Sequence, residues 1–165
     1  MAEKNTHANI GFEKQLWEAA CVLWGHIPTT EYRQVIIGLI FLRYISNAFD
    51  KKYQELKDEG DGFEDDRDAY MMENIFFVPE EARWNVISAN AHSPEIGIVI
   101  DKAMRAIEAE NKTLKGVLPK NYTILKNSLL RDLLRIFNNS AFNEIQDDII
   151  GRIYEYFLNK FDPVV

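Results

Sequence analysis

Histidine, cysteine and carboxylate side chains could do chemistry in this chain, but their spacing argues against a catalytic centre. His7, His26 and His92 lie far apart in the sequence, and none has a second ligand at the spacing typical of a metal site. No Ser-His-Asp or Cys-His arrangement has a supporting local context. The sequence therefore predicts no catalytic residue and no metal-binding residue.

Two short motifs fit structural interpretations better than chemical ones. Gly60-Asp61-Gly62 follows a predicted helix rather than a strand and lies among acidic residues, which would repel a phosphate. Asp147-Asp148 is better explained as an acidic pair at a helix N-terminus than as the start of a metal site. We therefore expect no cofactor-binding residue in this chain.

The single cysteine, Cys21, lies in an apolar helical stretch. A reactive thiol needs a basic or helix-terminal setting, so we expect a buried, reduced, structural residue. With one cysteine the chain has no internal disulfide framework.

A basic stretch gives the clearest signal for a binding surface. Although the net charge is −7, the region 111–135 contains one acidic residue, Asp132, and six basic ones. Contact with phosphate groups would explain this excess, and the simpler alternative is an exposed loop and a solvated helix face. The candidate phosphate-binding residues are Lys112, Lys115, Lys120, Lys126, Arg131 and Arg135, with Tyr122 among the lysines.

Aromatic residues offer a second candidate surface. Phe76, Phe77 and Trp84 fall in a short apolar region. They fit a hydrophobic core, and the alternative is a docking face for another subunit.

The element that positions these residues is a long central helix over residues 30–57, which begins after Pro28. Its first half contains VIIGLIFL, apolar on every side, so other elements must enclose it. Gly38 costs ~1 kcal/mol in a helix relative to alanine, which indicates close approach by a neighbouring helix.

Apolar periodicity predicts five further helices and no convincing strand. Trp17 and Trp24 fall on the apolar stripe of the first helix, so we expect the central helix to cover them. The fold class is therefore all-α, a single irregular bundle of about six helices. The other five helices are predicted at residues 10–24, 79–91, 94–111, 128–139 and 144–161.

The length of 165 residues suits one domain over 1–165, with a disordered tail at 1–8 and an acidic loop at 58–70. The N-terminus has no apolar signal region, and the longest apolar run is too short for a membrane span. These features favour a cytoplasmic protein that does not contact a membrane.

Several long stretches resemble one family. EKQLWEAACVLWGHIPTTEYRQVIIGLIFLRYISNAFDKK is similar to the N-terminal region of the modification subunit of type I restriction–modification systems, an adenine-N6 DNA methyltransferase. FFVPEEARWNVI, LKGVLPKNY and DIIGRIYEYFLNKF continue the resemblance in the same order. Together they cover most of residues 12–161.

The resemblance implies a non-catalytic, N-terminal helical domain that clamps DNA and assists subunit assembly. In the family, a methyltransferase domain with a Gly-rich S-adenosylmethionine site and an Asn-Pro-Pro-aromatic motif follows. Neither motif occurs here, so we expect the catalytic domain to be absent from this chain and S-adenosylmethionine to serve the parent protein. The implied partners are DNA, a specificity subunit, a second modification subunit and, in the full complex, a restriction subunit.

An alternative is a free-standing helical regulator that binds DNA or a protein by itself. A helix-turn-helix needs two short helices joined by a tight turn. The helices at 94–111 and 128–139 are instead separated by a basic connection of some 16 residues, 112–127, which argues against this alternative.

Overall fold

The computed structural model describes residues 13–143, which form an all-α bundle without a β-strand in that range, as the sequence predicts. This range contains six α-helices, with short 3₁₀ turns in several of the connections between them. The helices are α1 (Glu13–Leu23), α2 (Thr29–Glu59), α3 (Arg67–Met71), α4 (Trp84–Ala89), α5 (Ile96–Glu110) and α6 (Asn127–Phe137). The predicted tail at 1–8 and the predicted helix at 144–161 lie outside the described residues.

The central helix α2 is the axis of the fold, as predicted for residues 30–57. Its 31 residues span about 46 Å at 1.5 Å per residue. It ends at Glu59 and is capped by Gly60, whose φ of 78° allows its N–H to donate a hydrogen bond to the Lys57 carbonyl at 3.1 Å. The apolar first half is enclosed, since Val35, Ile36 and Leu39 have no exposed surface.

Gly38 permits the close approach that its position predicts, but the neighbour differs from the prediction. A Cβ at this position would collide with the Tyr122 hydroxyl and would lie 2.6 Å from Pro119 Cγ. Tyr122 lies in a 3₁₀ turn (Tyr122–Ile124), so a connecting segment rather than an α-helix packs here. Its hydroxyl donates to the Val35 carbonyl at 2.9 Å, which ties the connection to α2.

The prediction for α1 is wrong for its aromatic residues and for its cysteine. Leu16, Ala19, Ala20 and Leu23 form the buried stripe, and α1 packs with it against α6 and α2. The neighbouring stripe is exposed, with Trp17 at 51%, Trp24 at 70% and a free, exposed Cys21. The small alanine side chains allow close helix packing, so the buried stripe is rotated by one residue from the tryptophans.

The predicted acidic loop at 58–70 is largely helical. It contains the end of α2, a 3₁₀ turn at Phe63–Asp65 and the start of α3. Tyr70 anchors this segment to α2, because its fully buried ring stacks on Phe49 with centroids 4.7 Å apart. Its hydroxyl also donates to the Glu64 carbonyl at 2.6 Å.

The predicted helix at 79–91 is divided at Arg83 into a 3₁₀ turn (Glu80–Ala82) and α4. The first amide of α4, that of Trp84, donates to the Ser46 hydroxyl on α2 at 2.8 Å. This contact places the start of α4 against the middle of the central helix. No helix within residues 13–143 combines the length and apolarity needed to cross a bilayer.

Candidate nucleic-acid interface

The six predicted phosphate-binding residues do not form one cluster. Lys112 directly follows the C-terminus of α5, whereas Lys126 precedes Asn127, whose side-chain amide donates to the Pro94 carbonyl at 3.0 Å. Pro94 lies just before the N-terminus of α5, and the 15 residues of that helix span about 22 Å. The basic stretch is therefore distributed along the length of α5.

Lys120 is held by an internal ion pair. Its Nζ lies 2.8 Å from Glu108 Oε2 and donates to the Leu118 carbonyl at 3.0 Å. Glu108 also accepts the Leu118 N–H at 2.8 Å. Burial opposes ionisation of Glu108, but these hydrogen bonds and the charge of Lys120 outweigh it and lower the pKa of the carboxyl. A phosphate would have to compete with this carboxylate for Lys120.

Lys112 and Lys115 are exposed beside a short 3₁₀ turn (Lys112–Leu114). Lys112 lies at a cavity of about 520 Å³ whose wall contains the Arg67–Glu110 ion pair. Asn111 fixes the turn, because its side chain both accepts from the Phe77 N–H at 3.1 Å and donates to the Phe77 carbonyl at 2.9 Å. These two lysines present charges on flexible side chains from a well-anchored backbone.

Arg131 and Arg135 line a different cavity, a groove of about 320 Å³ between α4 and α6. We call it the α4–α6 groove. Arg135 Nη2 lies 3.9 Å from Asp132 Oδ1, a loose pair in which both side chains are about half exposed or more. The full lining is Ser88, Ala91, His92, Arg131, Asp132, Leu134, Arg135 and Asn138.

The amide of Asn138 has a fixed orientation in this groove. Its Oδ1 accepts from Trp84 Nε1 at 2.8 Å and from the Ser88 hydroxyl at 3.2 Å. Both donors require the oxygen to face them, so the amide nitrogen is left as a donor on the other side.

Arg131 has an unusual environment for a half-buried cation. Its Nε is buried and has no hydrogen-bond partner in the described part of the chain. A buried donor without an acceptor costs roughly 1–3 kcal/mol, more when it is charged. One residue of the α4–α6 groove thus carries a donor that the described part of the fold leaves unsatisfied.

Sequence reasoning missed two polar residues of the groove, Ser88 and Asn138, and considered His92 only as a metal ligand. The available signal was the spacing of Arg131, Arg135 and Asn138, since i, i+4 and i+7 fall on one helical face. Tyr122, noted among the lysines, is a fully buried core residue instead.

The aromatic residues near position 80 belong to the core. Phe77 and Trp84 are buried, and Phe76 is partly buried and packs against the core. Within residues 13–143, no group of three or more His, Cys, Asp or Glu side chains is arranged to hold a metal ion.

Comparison with known proteins decides the family. A family model described as the HsdM N-terminal domain matches residues 12–137, which is most of the chain and nearly all of the described bundle. The chain belongs to this family.

Similar proteins are subunits of type I restriction enzymes. One is the type I restriction enzyme MjaIX methylase subunit of Methanocaldococcus jannaschii, 34% identical over 93% of this chain and 31% of the relative. Another is the HindI methylase subunit of Haemophilus influenzae, 31% identical over 51% of this chain and 24% of the relative. The MjaVIII methylase subunit of M. jannaschii is 26% identical over 79% of this chain and 24% of the relative. This HsdM N-terminal domain thus spans about a third or less of the relatives' length.

Proposed function

We propose that this HsdM N-terminal domain is a non-catalytic module that contacts the DNA backbone and assists assembly in a type I adenine-N6 DNA methyltransferase. The observation that carries the proposal is the family match over residues 12–137. The relatives are named as methylase subunits, which are parts of larger enzymes. A cytoplasmic location agrees with a substrate that is DNA.

The partners in this proposal are DNA, a specificity subunit, a second modification subunit and a restriction subunit. S-adenosylmethionine would bind elsewhere in the parent protein, since no Gly-rich cofactor motif and no Asn-Pro-Pro occur in this sequence. Exposed Trp24, directly after α1, supports the assembly role, because tryptophan is enriched where proteins dock.

The DNA role is supported by cations that the fold leaves available. Lys112, Lys115 and Lys126 are exposed and lie near the two ends of α5. Each phosphate contact releases counterions, so it contributes to affinity mainly at low salt. With a net charge of −7, the chain needs such local positive surface to approach DNA.

The test reverses the charge of these three lysines together in the assembled enzyme. Lys112→Glu, Lys115→Glu and Lys126→Glu should lower DNA affinity at least tenfold and reduce the salt slope by about one for each phosphate that is no longer neutralised. Fluorescence anisotropy over a range of salt concentrations measures both quantities. Lys120 is left unchanged, because reversing it would place a second carboxylate beside Glu108.

The matched control reverses three lysines outside the basic stretch. Lys14, Lys51 and Lys102 are also exposed, so the control changes the net charge equally. Equal losses of affinity in the two triple variants would mean that the net charge, rather than the basic stretch, controls binding. Unchanged affinity in the test variant would remove the proposed contact.

A further inference from the structure

The unsatisfied Nε of Arg131 sets this residue apart from the buried arginine of α2. Arg43 has an acceptor for each of its three nitrogens, at Phe137, Asn47 and Asn143. Arg131 Nε has none in the described part of the chain, although it is also withdrawn from water. Because Nε is closed to water, an external anion would meet this guanidinium at its two terminal nitrogens and stabilise the charge there.

The lining of the groove supplies further donors. Arg131, Arg135 and Asn138 follow at i, i+4 and i+7 along α6 and its C-terminal turn, and all three line the same cavity. Trp84 and Ser88 hold the Asn138 oxygen, so its nitrogen is the group available to a ligand. Two guanidinium forks and one amide match a tetrahedral oxyanion, which presents several acceptor oxygens at once.

The charge of the groove also favours an anion. Two arginines of its lining face a single acidic residue, Asp132, which lies 3.9 Å from Arg135. The cavity of about 320 Å³ is open and far larger than one phosphate group, so a phosphate that remains part of a long chain can enter it.

We propose that the α4–α6 groove binds one phosphodiester group of the DNA backbone, with Arg131 as the central ligand and Arg135 and Asn138 beside it. This inference rests on the proposed function and deepens it. It distinguishes one specific phosphate site from the non-specific attraction of the exposed lysines. Arg131 is the positioned contact, and Lys112, Lys115 and Lys126 supply diffuse attraction.

Arginine side-chain NMR tests the site directly. In the full chain, the Nε–H signal that disappears in Arg131→Lys is assigned to Arg131. At low salt, that signal should shift on titration with a short DNA duplex, and more weakly with inorganic phosphate. Arg105, an exposed arginine of α5 outside the groove, is the internal reference and should shift less.

Other results would overturn the assignment. A signal that responds to phosphate but not to the duplex would point to a small phosphorylated ligand instead of DNA. A signal that responds to glutamate but not to the duplex would point to a carboxylate of a protein partner. A signal that responds to none of the three would leave Arg131 without a ligand role.

Affinity in the assembled enzyme gives the second readout. Arg131→Met should weaken DNA binding roughly tenfold, the effect of losing about one charged hydrogen-bonding contact, and should reduce the salt slope by about one. Asp132→Asn should strengthen binding, by about two- to threefold, since it removes the competing carboxylate. Arg105→Met is the control and should leave affinity unchanged.

These variants separate the two proposals. If the triple lysine variant loses affinity and Arg131→Met does not, the groove assignment is wrong and the domain still contacts DNA. If neither variant changes affinity, the proposed DNA contact itself fails. If Arg131→Met alone loses affinity, the groove carries the contact and the exposed lysines are not needed.

Discussion

Arg43 and Arg131 are two arginines whose surroundings differ in one respect. Arg43 is 8% exposed, and its three nitrogens donate to the Phe137 carbonyl at 3.1 Å, to Asn47 Oδ1 at 3.1 Å and to Asn143 Oδ1 at 2.7 Å. Arg131 lies on α6 with a buried Nε that has no acceptor among residues 13–143. Arg43 therefore joins α2 to the end of α6, whereas Arg131 Nε makes no hydrogen bond in the described chain.

This difference separates a residue that serves the fold from one available to a ligand. Burial lowers the pKa of Arg43, while the charge of Asp50 acts in the opposite direction. The guanidinium stays protonated, and its acceptors offset the loss of hydration. Arg131 Nε lacks such an acceptor among residues 13–143, which reduces stability, and a phosphate bound at the terminal nitrogens offsets part of this cost.

The largest effect should follow from Arg43→Met. The substitution leaves the Phe137 carbonyl and two asparagine oxygens without their donor, so we expect a loss of ~3 kcal/mol in the free energy of unfolding. Urea denaturation of the full chain measures it. Asn143→Ala removes one of the three acceptors and should cost about 1 kcal/mol. Equal losses in both variants would contradict this expectation, because the bonds to Phe137 and Asn47 would then add nothing of their own.

Lys120 is an intermediate case between Arg43 and Arg131, because it is a partly exposed cation that has a partner. The variant Lys120→Met tests it. Loss of the Glu108 pair should cost ~0.5–1 kcal/mol at neutral pH. Because the pKa of folded Glu108 is lowered, the pair's contribution is fully present above the ordinary carboxyl pKa and is lost as the pH falls through the folded value.

The stabilities of the wild type and Lys120→Met should therefore converge in acid, and urea titrations at several pH values follow this. A difference that stays constant from neutral to acidic pH would show that packing of the lysine stem, rather than the charge pair, stabilises the fold.

Much of the fold could be predicted, because its main signals are local. The apolar run of α2 has no polar face, and the cost of Gly38 in a helix indicates a close neighbour. The fold confirms that the apolar half of α2 is enclosed and that Gly38 has a close neighbour. That neighbour, Tyr122, lies 84 residues beyond Gly38 in a basic connection. Periodicity cannot identify a contact made by an irregular segment.

The buried face of α1 could not be predicted because two adjacent stripes of this helix are apolar. Leu16, Ala20 and Leu23 compete with Trp17 and Trp24, and aromatic size favours the wrong stripe. The packing partner determines which stripe is buried, since the alanines of α1 let α6 approach closely. A similar limit applied to the candidate site: charge counting treated all six basic residues alike, and only tertiary contacts separate a paired cation from an unsatisfied one.

The most direct test of this account compares the stability of Arg131→Met with that of the wild type, in chloride and in phosphate buffer. We expect the variant to be as stable as the wild type in chloride, or more stable by up to about 0.5 kcal/mol, because removal of the unsatisfied donor offsets the lost packing of the arginine side chain. Phosphate should stabilise the wild type more than the variant, because only the wild type has the ligand site. A loss of about 1 kcal/mol or more in chloride, with equal gains in phosphate, would show that Arg131 serves the fold as Arg43 does.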